Sequence, residues 1–437
     1  MQSIRANKLI AALLFAASVL YSSPSAALQP LEQFVASARR RNPDALEASA
    51  NLSQQQAQAD SALGAVLPGV SARGSYTRNQ YSSTIDVGLP QPVTIVPKDQ
   101  WDGSATLKVP LVDLAGFRKV SAARTTAEAA GHQLDATQLQ IQGQVAQDYY
   151  QLVANLALVA ASQTAFEVSR EGLRLAEARY QAGTAAGLEV DRARADVEQQ
   201  FQQLAGAHLQ VQLGARALQS ASGIEPDVSA VVPLSDDLHP ELELRAFEAS
   251  LTSLPSVAAA STATRAAELN AAAQRLALAP SIAGTFTERG TNAPGFSEHD
   301  WSYQGALTAS WTFDLTNIAG IRAQDAAADA ARARELRARL AAGDAIHREW
   351  STVVADIARS RSARAGREAA IHAATQARDR YGAGTITQLD LLQAQRDAFN
   401  AEVSRIQADA DLVNARAQLR LSSGLSFLTD NVTKGTP

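Results

Sequence analysis

Hydrophobic positions along the chain follow two periods, and the longer one dominates. Val145, Leu152, Val159, Phe166, Leu173 and Tyr180 recur every seven residues, with Tyr149 and Leu156 between them. That spacing keeps one side of a helix apolar and predicts a coiled-coil seam. Neither this segment, about 114–180, nor its later counterpart at 318–381 contains proline. As helices, each extends on the order of 100 Å. In the second copy Ile346 and Val353 keep the register, whereas Ser360 and Arg367 break it. A seam broken in this way is expected to meet several neighbours, or to border water, rather than to form one dry pair. Return helices repeat the step: Val197, Leu204, Val211 and Leu218, then Leu392, Phe399, Ile406 and Val413. Both run to a Ser-Gly stop, at Ser222-Gly223 and Ser423-Gly424.

Ahead of each long hairpin the period shortens. Pro43 and Pro68, then Pro255 and Pro280, bracket alanine-rich stretches that read as helices of about six turns. After the second proline of each pair, residues 70–77 and 282–287 alternate in character and are rich in β-formers. Gly/Pro/Asn/Ser-rich connections at 79–100 and 289–300 follow, each ending at a tryptophan. A second strand then starts: 101–112 with Ala105, Leu107 and Val109 on one face, and 301–313 with Tyr303, Leu307, Trp311 and Phe313 on one side. About ten residues is the length a tilted membrane strand needs, and Trp101, Trp301 and Trp311 fall where an interfacial aromatic girdle would place them. A small soluble antiparallel sheet fits the same alternation.

The halves are copies. Arg179-Tyr180-Gln181-Ala182-Gly183-Thr184 returns 201 positions later as Arg380-Tyr381-Gly382-Ala383-Gly384-Thr385. Leu188 then matches Leu389, Glu189 matches Asp390, Asp196 matches Asp397 and Gly223 matches Gly424. Such a duplication implies two equivalent halves of one object. The expected organisation is a signal peptide at 1–27 and a first repeat at 28–224, with a β-hairpin at 68–113 and a helical hairpin at 114–222. A linker at 225–240 leads to a second repeat at 241–425, with a β-hairpin at 280–314 and a helical hairpin at 318–422. A tail at 426–437 closes the chain.

Composition narrows the classes. Aromatics are 5% within a 46% hydrophobic total; the apolar count is largely alanine, which suits close helix packing better than a globular core. Arg5 and Lys8, an apolar run at 10–20 and Ser25-Ala26-Ala27 form a secretory leader. No later run offers about 18 unbroken apolar residues, so no transmembrane helix is expected. There is no cysteine, hence neither a disulfide nor a lipid-accepting thiol after the leader. A formal net charge of −5 without basic blocks argues against nucleic acid as a partner. Six scattered histidines lack metal-ligand spacing, and no nucleophile motif or phosphate loop appears, so neither an enzyme nor a cofactor site is expected.

Four strands cannot close a membrane barrel, because the smallest such barrels have eight. Open edges in lipid would leave backbone groups unpaired at several kcal/mol each. Membrane strands would therefore require several chains. At this point the chain resembles the TolC family of outer-membrane efflux proteins, over about 31–425. The resemblance rests on Asn42-Pro43-Asp44, on the proline before each first strand, and on Pro110-Leu111-Val112-Asp113 with Gly116 and Arg118. The paired Arg-Tyr-x-Ala-Gly-Thr turns and the Ser-Gly ends complete it. It implies a mainly α fold with a membrane β-barrel, built from duplicated long helical hairpins and four strands per chain. A homotrimer would form a 12-stranded barrel in outer-membrane lipid and an α-helical periplasmic tunnel. A periplasmic adaptor and an inner-membrane transporter of the RND, ABC or MFS type would be the partners.

The resemblance also assigns residues. Gly183, Thr184, Gly384 and Thr385 are the adaptor-contact tip turns. Asp390, with Glu189 and Gln393, belongs to a periplasmic constriction ring; relatives carry a second aspartate where this chain has Gln393. Tyr381 and Glu189 form a closed-state latch, whereas Ile386 and Leu188 replace the partners of a second latch. Taken bare, the glycines are helix stops, and Glu189 and Asp390 sit where a carboxylate suits a helix N-terminus. A periplasmic adaptor and a structural coiled-coil protein are the alternatives, although adaptors usually carry one hairpin and extensive soluble β domains.

Overall fold

A computed structural model of the chain describes residues 28–85, 88, 93–229, 234, 236–294 and 299–425. The expected leader at 1–27, the expected tail at 426–437 and part of the expected linker lie outside the described residues. Two short helices open the described chain, α1 (Leu31–Arg41) and α2 (Pro43–Ala65). Four strands follow: β1 (Gly69–Arg78), β2 (Ser83–Ile85), β3 (Val93–Val96) and β4 (Asp99–Val112). Next comes the first helical hairpin, α3 (Leu114–Gln181) and α4 (Gly187–Ser222). The second half has α5 (Leu244–Glu248), a 3-10 turn (Leu251–Ser253), α6 (Pro255–Leu276), β5 (Ser281–Thr291) and β6 (Trp301–Ser310). It ends with α7 (Leu315–Gly382) and α8 (Gln388–Ser422). Short β2 and β3 pair with each other inside the 79–100 connection, which the sequence marks only as a loop.

Contacts divide the chain into two compact units, each drawing on both repeats. Of the described residues, one takes those up to Ala45, 138–247 and those from 345; the other takes 46–137 and 248–344. The second unit holds an antiparallel sheet in the order β1-β4-β5-β6. Gly69 pairs with Lys108, Asp102 with Thr291 and Ser281 with Ser310, and a bulge lies between Pro110 and Val112 in β4. Every residue of β1 and of β6 is exposed, including Val70, Tyr76, Trp301, Tyr303 and Leu307. Asp113 ends β4 and starts α3, accepting the Gly116 amide at 2.7 Å. A Cβ on Gly116 would come within 2.7 Å of both the Asp113 carboxyl carbon and a Val66 methyl, so only glycine fits there. Asp314 performs the same capping on Asn317, at 2.6 Å.

In the first unit, α1 lays Leu31, Phe34, Val35 and Ala38 against Val145, Leu152, Val153 and Leu156 of α3 and Leu218 of α4. By length and composition α3 could cross a membrane, but its seven-residue seam is spent on this core. The second hairpin is built differently. Ile346 and Val353 are fully buried, yet the next seam position, Ser360, is equally buried and donates to Asp409 at 2.5 Å. Arg364 and Arg405 complete the shell of Asp409, at 3.0 and 2.8 Å. Arg367 pairs with Glu402, which also meets Arg405 at 2.8 Å. The heptad break is therefore a polar seam between α7 and α8, buried at Ser360 and Asp409 and open to solvent at Arg367. A buried carboxylate is tolerated there because three donors replace its water.

A second buried cluster ties the inter-repeat segment to α8. Arg416 lies between Asp236, at 2.9 Å, and Glu241, and its Nη2 donates to the His239 carbonyl at 2.7 Å. Asp236, Asp237 and His239 are close enough to one another to hold a metal ion, but the guanidinium of Arg416 already occupies Asp236 and the His239 ring. Arg416→Ala leaves the nearly inaccessible Glu241 with only the longer Arg420 pair at 3.5 Å, and a loss of about 3 kcal/mol is expected. Thermal unfolding in detergent should show it as a lowered Tm, whereas Arg420→Ala at the more open edge of the cluster should cost less.

Candidate channel entrance

The duplicated hexapeptide is a helix stop made from its own atoms. Gly183 adopts φ 68° and its amide donates to the Tyr180 carbonyl at 2.9 Å, while the Thr184 amide reaches Arg179 at 2.9 Å. These are the two bonds of a Schellman motif, which needs a left-handed residue at the glycine position. Thr184 adds its hydroxyl to the same Arg179 carbonyl, at 3.0 Å. The second copy repeats the pattern with Gly384 at φ 73° and Thr385 on Arg380. Thus arginine supplies the carbonyl, glycine the reversed backbone, and threonine a doubled bond. All four residues named as tip turns are exposed.

Beyond the turns the copies differ. Thr387 caps α8 in a capping box: its hydroxyl and amide donate to the Asp390 carboxylate at 2.7 and 3.1 Å, and the Asp390 amide donates to the hydroxyl at 3.2 Å. These bonds, the hydroxyl's first, hold the exposed Asp390 carboxyl below the usual carboxylate range. The matching cap of α4 is Ala186, whose methyl group cannot accept a hydrogen bond. Glu189 is consequently available, and its Oε2 accepts from the Tyr381 hydroxyl at 3.1 Å. Burial, and then this bond, raise the Tyr381 phenol, so it stays a donor at neutral pH. Arg179 lies over the Tyr381 ring, 4.7 Å from its centre. Gln393 is exposed and donates to Asp397 at 2.9 Å along its own helix.

Glu189 and Tyr381 therefore meet across the two hairpins, while Asp390 stands apart on its own helix cap. Three residues absent from the sequence-based candidates join them. Gln388 donates to the Glu189 carbonyl at 2.7 Å, and Arg396 pairs with the buried Asp196 at 3.1 Å. Thr387 is the third. Each stands where the repeats diverge, against Gly187, Ala195 and Ala186, a signal visible only when the copies are compared for difference rather than likeness.

A pattern describing outer membrane efflux proteins matches residues 34–224 and 247–425, most of the chain. The chain belongs to the outer membrane efflux protein family. Members of this family are channels and not enzymes, and they lie in the outer membrane with a helical extension into the periplasm. The fold is that of a membrane protein from Pseudomonas aeruginosa (TM-score 0.76, 21% identity, 90% of this chain and 93% of that one). It is also that of the Campylobacter jejuni CmeC outer membrane channel (TM-score 0.78, 16% identity, 91% and 86%). The fusaric acid resistance protein FusA of Burkholderia cepacia is 28% identical over 199 residues, 45% of this chain and 37% of that protein's length.

Two outcomes test this geometry within the efflux protein. Tyr381→Phe keeps the ring under Arg179 but removes the donor to Glu189, so amide exchange in the 382–388 turn should accelerate while that in α1 stays unchanged. Asp390 has a lowered folded pKa, so its cap is complete above the ordinary carboxylate pKa of about 3.9 and fails as pH falls through the lowered value. Thr387→Val should move that loss of first-turn protection in α8 to higher pH.

Proposed function

We propose that this efflux protein is the trimeric exit channel of a tripartite export system. It would conduct substrate passively from a periplasmic adaptor and an inner-membrane pump to the exterior. One observation carries the reading: a four-stranded sheet exposed along both of its edge strands, β1 and β6. In the outer membrane each edge needs a partner strand, and β1 of one chain against β6 of the next satisfies both. Three chains give twelve strands. Trp101 and Trp301 mark the loop end of the sheet and Trp311 the helix end, where its indole donates to the Leu278 carbonyl at 2.9 Å. Ten residues separate Trp301 from Trp311; tilted by about 45°, they rise about 25 Å, the height of a barrel's apolar band.

At the hairpin turns, the exposed Gly183, Thr184, Gly384 and Thr385 suit an adaptor contact. Tyr381 and Glu189 act as a latch between hairpins. Three copies of Asp390 form a constriction ring that draws cations, and Gln393 leaves the ring with less charge than a second aspartate would give. The resistance role named for the relative from Burkholderia cepacia favours efflux of small toxic compounds as the task.

A heat-modifiable trimer should appear in the outer-membrane fraction, and a freely soluble periplasmic protein would defeat the reading. In single-channel recordings Asp390→Ala should weaken block by divalent cations, and Gln393→Asp should strengthen it. Unchanged block in both variants would rule out the ring.

A further inference from the structure

The four-stranded sheet sorts its charges by face. Across one rung of its register stand Val70, Leu107, Phe286 and Gly305; across the next stand Ser71, Thr106, Thr287 and Gln304. The Thr106 and Thr287 hydroxyls lie 3.0 Å apart, so the polar rung shares one side of the sheet. Residues two positions along a strand return to the same side. In a membrane barrel the apolar side meets lipid and the polar side lines the lumen.

The polar side carries Arg73, Asp102, Lys108 and Arg289. Asp102 is already taken: Arg289 reaches it at 2.5 Å and Gln100 donates to it at 2.7 Å. The other ion pair of the sheet among the described residues is Arg78–Asp99, 3.9 Å apart at the loop end. Arg73 and Lys108 are exposed and belong to neither pair. The one further carboxylate of the four strands, Glu288, stands in the rung of Ala105 and Tyr303, on the apolar side, and cannot neutralise them there. Arg73 pairs in register with Ser104 and Lys108 with Gly69, so the two cations flank the rung of Ser71 and Thr106.

We propose that the barrel lumen is an anion-favouring segment, with Arg73 and Lys108 as its specificity-determining residues. This rests on the trimeric channel reading, in which three chains repeat both cations around one pore. Basic rings in a pore raise the local concentration of anions and repel cations. The cargo class this wall favours is small organic anions. Its sign is opposite to that of the acidic ring proposed at Asp390, so the barrel and the entrance select separately.

The chain has no cysteine, so Ser71→Cys in the full-length protein reports the potential between the two cations without background. Its reaction rates with anionic sulfonatoethyl methanethiosulfonate and with the cationic trimethylammonium analogue are compared in outer-membrane vesicles. Adding Arg73→Gln and Lys108→Gln should lower the anion-to-cation rate ratio about fivefold at 0.1 M salt, and 1 M salt should erase most of that difference. Leu107→Cys, on the lipid side, should react slowly with both reagents. An unchanged ratio in a variant that still forms a heat-modifiable trimer overturns this inference alone. Fast reaction at Leu107→Cys with none at Ser71→Cys overturns it by reversing the faces. A parent protein that forms no outer-membrane trimer removes the channel reading, and this inference with it.

Discussion

Unpaired backbone at the two edges of one sheet is the constraint on which the molecule depends. β1 and β6 each present ten exposed residues, and a lipid environment offers their amides and carbonyls nothing to bond. A soluble sheet could leave such edges to water. In lipid, a chain of the outer membrane efflux protein family would need partner strands at both edges. The helical part answers a milder version of the same demand. Exposed Phe201, Leu209 and Leu213 on α4, with Leu336 and Leu340 on α7, are apolar positions that one chain alone leaves uncovered.

The two repeats meet that demand with different chemistry. In the first hairpin the seam is apolar, with Val145, Leu152 and Leu218 fully buried. In the second, Ser360 stands where the first has Val159, and it bonds the buried Asp409 together with Arg364 and Arg405. Such a polar core adds little net stability compared with hydrocarbon, but a buried carboxylate tolerates only one arrangement of its donors. Register is thereby fixed on the hairpin whose alanine-rich faces specify it least.

Much of this was legible in the sequence, and the remainder was hidden for physical reasons. The alternation over 301–313 marks a strand because side chains on a pleat take opposite faces every second residue; β6 occupies Trp301–Ser310. The hexapeptide read as a turn because glycine alone adopts its backbone freely. Ser360 and Arg367 broke a pattern and suggested water or several neighbours; Arg367 does face water, whereas Ser360 is buried on Asp409, a pairing that a period cannot show. Asp196 and Arg396 are 200 residues apart, and which of many charged residues meet depends on packing that no local pattern encodes. β2 and β3 are too short to produce a period at all.

The helix stops at Gly183 and Gly384 close entirely on their own carbonyls. The bonds that set their shape are therefore local to each helix end. A surface of this kind is preorganised: ordering it has already been settled by folding, so a partner that meets it gives up little conformational entropy in doing so. The same independence lets the turns accompany any movement of the helices behind them without changing the face they present.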